Sequence, residues 1–207
     1  MTRMLSKSNH LAIVKRPFPG DPHCGDDAAW WRHDHKLTLC IVDGLGHGED
    51  AERAARVAVE YIAHHLTEPL VELFAGCDQA LRRTRGAAMS VAVIDGEAGT
   101  LTYAGIGNTR AVIVRKPGVD SPVGKIVRLS GNWGIVGGDY RKLTPETVEL
   151  GPGDLVILTT DGVKERCDVS AYGDALYGDV QRLAERILRD CGREMDDVAV
   201  LVFRCEG

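Results

Sequence analysis

Four acidic stations punctuate this chain, each beside a strand-like run or in a glycine-containing turn: Gly25-Asp26-Asp27, Asp43-Gly44-Leu45-Gly46-His47-Gly48, Thr160-Asp161-Gly162 and Asp196-Asp197. The second constrains the fold most. It follows the apolar run Leu37-Thr38-Leu39-Cys40-Ile41-Val42 and precedes a helix that begins near Glu49. A carboxylate at a strand end, followed by residues without side chains, leaves room for backbone carbonyls and water to approach a hard cation. Carboxylates so far apart in sequence can share one site only if strand ends converge. Without a cation they would repel one another, and some would have to protonate. Oxygen ligands suit Mg2+ or Mn2+ better than zinc, which prefers nitrogen and sulfur. An aspartate bridging two such ions would leave positions for a water that attacks phosphorus.

Each station also has a plainer reading. Gly25-Asp26 and Thr160-Asp161-Gly162 are ordinary turn sequences, and Asp196-Asp197 can solvate a strand end. The Asp43–Gly48 stretch could be a phosphate-binding loop, although it lacks a lysine and its aspartate would repel the ligand. The order of all four, each beside a strand, points to the metal site.

The rest of the pattern predicts one α+β domain over residues 1–207. Strands are expected at His10–Lys15, Ala28–Arg32, Lys36–Val42, Ala88–Asp95, Thr100–Ala104, Arg110–Arg115, Lys125–Leu129, Thr147–Leu150, Asp154–Thr159 and Val198–Phe203. Gly151-Pro152-Gly153 reads as a hairpin turn between two of them. Helices are expected over Asp50–His65, from Pro69 to about Thr84, and over Tyr177–Cys191, from apolar residues at three- and four-residue steps. Strands come mostly as hairpins rather than alternating with helices. Two antiparallel sheets packed face to face, with helices outside, use these elements better than a doubly wound parallel sheet. His64 and His65 suit a helix C-terminus. His33-Asp34-His35 sits on a tight turn whose side chains diverge, and it is not expected to bind metal.

A formal net charge of −5 and the lack of a long basic run argue against nucleic acid as a partner. No apolar run reaches the roughly 20 residues of a membrane span, and no signal-peptide core is present. The six cysteines show no zinc-ligand spacing. Cys40 and Cys205 read as small residues within strands. Cys24 lies beside acids that would raise its pKa, which disfavours a catalytic thiol. A cytoplasmic, monomeric protein is expected.

The ordered set Cys24-Gly25-Asp26, Asp43-Gly44-x-Gly46-His47-Gly48, Thr160-Asp161-Gly162 and Asp196-Asp197 resembles the metal-dependent PP2C (PPM) protein phosphatases. Arg85-Gly86-Ala87-Ala88, Tyr103-Ala104-Gly105-Ile106-Gly107-Asn108 and the compact length are similar to the small bacterial SpoIIE-like branch, in particular its RsbX-type stressosome phosphatases. The resemblance implies an αββα sandwich with a two-metal site for Mn2+ or Mg2+. In it Asp43 would bridge the ions, the Gly44 carbonyl would ligate one, Asp161 and Asp196 would complete the other, and Asp26 would hold the first. Asp27 and Asp197 are the adjacent acids that could shift the register. It further implies a serine/threonine phosphatase acting on phosphorylated STAS-domain proteins of a stressosome. Alternatives are a SpoIIE- or RsbU-like phosphatase of a free anti-sigma-factor antagonist, and a catalytically weak binding module on the same fold.

Two positions depart from that family. Leu45 stands where many members have a histidine, leaving His47 as a substitute acid or a turn-shaping residue. No confident N-terminal arginine for substrate phosphate is found, although Lys15 and Arg16 are placed for it. The glycine-rich stretch from Pro117 to Leu143 contains Trp133, suited either to partner contact or to packing under its own loop.

Overall fold

A computed structural model describes residues 10–116, 126–172 and 178–206. Among the described residues ten strands form two antiparallel five-stranded sheets. The first sheet has the order β1 (Leu11–Arg16), β10 (Val198–Arg204), β9 (Leu155–Thr159), β6 (Arg110–Val114) and β7 (Ile126–Leu129). The second has β2 (Asp26–His33), β3 (Lys36–Gly44), β4 (Ala87–Asp95), β5 (Thr100–Ile106) and β8 (Glu146–Glu149). Helices α1 (Glu49–His64) and α2 (Leu70–Leu81) cover the outer face of the second sheet, and α3 (Val180–Cys191) covers that of the first.

Burial explains the four layers. Alternate residues of each central strand face opposite sides. Leu39, Ile41, Leu101 and Tyr103 meet Ile113, Leu158 and Leu201 between the sheets. The intervening Cys40, Val42, Met89 and Val91 meet Ala55, Ala58, Ile62 and Phe74 of the helices. On the other side Ile157, Val200 and Val202 meet Leu183, Ala184 and Ile187. Both faces of the central strands are therefore apolar, which is why β9 and β10 read as continuous hydrophobic runs. The alanines of α1 let its backbone come close to the sheet. A Cβ at Gly44 would lie 2.1 Å from the Ala51 carbonyl oxygen, so that strand end admits no side chain.

The structure moves several boundaries. The acids Asp26, Asp27 and Asp43 lie within paired strands rather than in turns, with Asp26 opposite Asp43 in the register. The second helix stops at Leu81 rather than near Thr84, where Thr84 donates to the Leu81 carbonyl and Gly86 turns the chain at φ 81°. Asp179 caps α3, its carboxylate accepting from the amides of Gln181 and Arg182; Tyr177, where that helix was expected to begin, lies outside the described residues, as do Lys125 and the 117–124 part of the glycine-rich stretch.

One expected hairpin is absent. β8 pairs with β5, whereas β9 pairs with β6 and β10, so Gly151-Pro152-Gly153 carries the chain from one sheet to the other. The composition of the two strands accounts for this. Leu155–Thr159 is buried at every position and needs neighbours on both sides, whereas Glu146–Glu149 is half-exposed and polar and suits an edge. The Asp154 carboxylate fixes the corner by accepting from the Gly151 and Lys116 amides and from Arg115. No helix of the described residues is long and apolar enough to cross a membrane.

Candidate metal and active site

Strand alternation decides where each acid points. Asp26 shares its side of β2 with Ala28, and Asp43 shares its side of β3 with Leu39 and Ile41; both therefore face the gap between the sheets. The neighbouring Asp27 points the other way and is held by Lys15 Nζ at 3.0 Å. In the other sheet β9 and β10 are antiparallel neighbours, with Thr159 opposite Val200. The end of β9, which continues into Thr160-Asp161-Gly162, thus lies beside the start of β10, which Asp196-Asp197 precede. Asp197 has the parity of Ala199 and Leu201 and faces inward. The two sheets bring these pairs together: a Cβ at Gly25 would lie 2.9 Å from Asp197 Oδ2.

The cluster has a buried floor and an open side. Asp26 is 2% exposed and Asp197 4%, whereas Asp43, Asp161 and Asp196 are half-buried. Asp197 Oδ1 accepts from the Phe18 amide at 2.8 Å. Oδ2 of Asp26 and Oδ2 of Asp197 are buried without a hydrogen-bond partner. Such orphaned oxygens are costly unless a cation or proton meets them. Burial raises Asp43 to about 9, reinforced by Asp26 and Asp161. Burial also raises Asp26 to about 8, against a Thr160 hydrogen bond that favours the ionised form and with the charges of Asp197, Asp161 and Asp196 adding to the rise. Asp196 is raised as well, first by burial and then by Asp161. This crowding favours the protonated form of Asp26 and Asp43 wherever no cation meets them. Among the described residues no three acid, histidine or cysteine side chains stand in ready-made ligating geometry.

Two residues that sequence reasoning left without a role belong to the site. Asn108 Nδ2 donates to Asp161 Oδ2 at 2.6 Å and so orients that carboxylate. In the sequence it closes the run Tyr103–Asn108 that carries the family resemblance, with no role attached to it. Arg193 Nε donates to the Asp161 carbonyl at 3.0 Å, and its charge opposes the rise at Asp196. Gly162 is needed here, because a Cβ would lie 2.0 Å from the Asp197 carbonyl oxygen. A disulfide, Cys167–Cys191, staples the segment after Asp161 to the end of α3, from which the chain runs on to Asp196. The cysteine spacing gave no hint of this pairing.

The remaining candidates lie elsewhere or are occupied. His47 stacks on Phe18 at 4.9 Å between centroids and faces Asp21 at 3.6 Å, which is the turn-shaping role. His33 and His35 lie at the far end of the β2–β3 hairpin from Asp26 and Asp43. Burial pushes the Cys24 thiol up to about 12, which leaves it inert. Lys15 is bound to Asp27, and Arg16 donates to the Arg193 carbonyl. Trp133 is 95% exposed, so it does not pack under its own loop. It lines a shallow pocket of about 330 Å³ with Asn132, Asp139, Tyr140, Arg141 and Lys142. Asn132 joins this loop to the site: its amide donates to Gly105 and its carbonyl accepts from Gly107, next to Asn108.

Two packed antiparallel sheets with helices outside and acids at one end form the fold of PP2C phosphatase domains. Within that class the chain belongs to the stage II sporulation protein E (SpoIIE) family, whose model matches residues 33–206. It is 27% identical over 144 residues to the phosphoserine phosphatase RsbX of Bacillus subtilis (strain 168), covering 70% of this chain and 69% of that protein. A chain from a study of the bacterial stressosome, as a modular system adapted to control secondary messenger signaling, superposes with a TM-score of 0.84 at 30% identity. That match covers 93% of this chain and 97% of the other. The crystal structure of RsbX in complex with magnesium superposes with a TM-score of 0.81 at 21% identity, over 96% and 97% of the two chains.

Proposed function

We propose that this chain is a single-domain, cytoplasmic serine/threonine phosphoprotein phosphatase that works as a monomer with two Mn2+ or Mg2+ ions. The observation that carries the reading is the set of carboxylates drawn from both sheets to one end of the sandwich, with Oδ2 of Asp26 buried and unpartnered. The donor set fits hard divalent cations, being all oxygen. Asp26, Asp43, the Gly44 carbonyl, Asp161 and Asp196 would hold the ions. Asp197 supports from below, its Oδ1 committed to the Phe18 amide.

Bound there, the ions supply the acidification of water and the neutralisation of phosphate oxygens. The chain's own residues do the positioning. Asn108 orients the carboxylate of Asp161, Gly44 and Gly162 allow the backbones to close on one another, and the inward parity of Asp26 and Asp43 puts both on the face toward the other sheet. Leu45 offers no proton to a leaving group and His47 is turned onto Phe18, so proton delivery to the product alkoxide falls to solvent.

The substrates under this reading are phosphorylated STAS-domain proteins of a stressosome, and their dephosphorylation resets the complex. The likeness to RsbX and to the stressosome-derived chain supports it. The test is hydrolysis of a purified phosphorylated STAS-domain scaffold protein beside a small aryl phosphate, with Mn2+ and with EDTA. Activity on both that EDTA abolishes is the expected result. Undiminished activity in EDTA overturns the metal mechanism, and preference for a free phosphorylated antagonist moves the substrate to the SpoIIE- or RsbU-like alternative. Inactivity with every metal leaves the fold as a binding module.

A further inference from the structure

A phosphate dianion entering a cluster of carboxylates needs a cation from the protein as well as from the metals. The two N-terminal candidates do not supply one. Lys15 Nζ is committed to the Asp27 carboxylate at 3.0 Å and to the Asp26 carbonyl at 3.4 Å, and Arg16 donates to the backbone of Arg193. Arg85, near the turn at Gly46, pairs with Asp50 at 3.0 Å.

Arg193 is different. Its backbone is held at both ends, its amide donating to the Gly162 carbonyl at 2.7 Å and its carbonyl accepting from Arg16. Its side chain is exposed, and Nε donates to the carbonyl oxygen of Asp161 at 3.0 Å. That single bond aligns the guanidinium plane beside the acids and leaves both terminal nitrogens with their protons uncommitted. Among the described residues it has no carboxylate partner within salt-bridge distance. A guanidinium anchored at Nε, with free N–H groups beside Asp161 and Asp196, matches a phosphoryl group, whose oxygens accept two parallel hydrogen bonds.

We propose that Arg193 grips the phosphoryl oxygens of the substrate, taking the part that neither Lys15 nor Arg16 is placed to play. This rests on the phosphatase reading above. It assigns the phosphate-binding cation to the segment between α3 and β10, and so to the same turn that presents Asp196.

The test is steady-state hydrolysis of p-nitrophenyl phosphate at saturating Mn2+, with inorganic phosphate as competitive inhibitor, for wild type, Arg193→Ala, Arg193→Lys and Lys15→Ala. Arg193→Ala should raise KM and the phosphate inhibition constant together by about tenfold or more, the worth of a charge-assisted hydrogen bond. Arg193→Lys should recover part of that loss, and Lys15→Ala should leave KM unchanged. Calorimetric Mn2+ affinity of Arg193→Ala should be equal to or tighter than wild type, since a positive charge has left the cluster. A change within about twofold in KM and inhibition constant overturns the proposal. So does a loss that tracks weakened Mn2+ binding, which would make Arg193 only a clamp on Asp161. A wild type that neither hydrolyses the ester nor responds to phosphate would overturn the phosphatase reading along with it, whereas an active wild type matched by Arg193→Ala overturns this inference alone.

Discussion

The floor of the site and its rim are built on opposite terms. The floor is built on strand ends: Asp26 faces Asp43 across a ladder, and Asp161 and Asp197 flank the Thr159–Val200 pair of the other sheet. The rim is loop. Asn132 docks on Gly105 and Gly107, yet the next residue, Trp133, is almost fully exposed above a shallow pocket. The difference separates chemistry, which belongs to the rigid part, from choice of protein substrate, which belongs to the part free to vary.

Substitutions on the floor should have the largest effects. Asp43→Asn should cut turnover by about a thousandfold or more, since it removes the proposed shared ligand. Because the wild-type carboxylate is held protonated without metal, the metal-free variant should melt at the same temperature or slightly higher. In the strand pair, Asp26→Asn should approach that loss, and Asp27→Asn, which weakens the ion pair with Lys15, should cost far less. Equal losses in that pair would mean that strand parity does not define the site.

Backbone closure comes next. Gly44→Ala forces a methyl to 2.1 Å from the Ala51 carbonyl oxygen. It should destabilise the fold by about 1–3 kcal/mol in denaturant titration, as overpacking does, and lower activity at temperatures where the protein is still folded. An alanine tolerated at no cost would show that α1 does not press on the strand end.

The acids also set a pH dependence. Asp26 and Asp43 are raised from 3.8 to about 8 and about 9 in the folded, metal-free chain. A raised folded pKa stabilises the fold fully below the unfolded value and is lost as pH rises through the folded one. The metal-free melting temperature should therefore fall as pH increases from about 4 to about 9, and Mn2+ should reverse the trend by binding the ionised form. A metal-free stability that climbs through this range would contradict the crowding of the carboxylates.

The smallest effect belongs to the rim. Trp133→Ala should lower kcat/KM on the phosphoprotein severalfold, about 1 kcal/mol or more for an exposed aromatic contact, and leave the aryl phosphate untouched. Equal loss on both substrates would tie the loop to the floor after all.

The same contrast governs what was legible in the sequence. Alanines at three- and four-residue steps marked the helix that packs most closely, whereas the acids read as turn residues and only their place in paired strands shows which way they point. The apolar β9 was visible, but its pairing was not. A glycine-proline-glycine turn looks alike whether it joins partners or crosses between sheets, and only the burial of β9 on both faces separates the cases. The roles of Asn108, which closes a motif run, and of Arg193, which lies in none, stayed hidden because they act through hydrogen bonds to Asp161 from 53 and 32 residues away, with no spacing to reveal them. The Cys167–Cys191 pair, 24 residues apart, is equally silent.

Calorimetric titration of the metal-free chain with Mn2+ in buffers of differing ionisation enthalpy tests the central claim most directly, because it needs no substrate. The account predicts saturable binding with release of protons near neutral pH, from acids that burial holds protonated, and loss of both in Asp43→Asn. Binding without proton release, or binding of equal strength in Asp43→Asn, would contradict it.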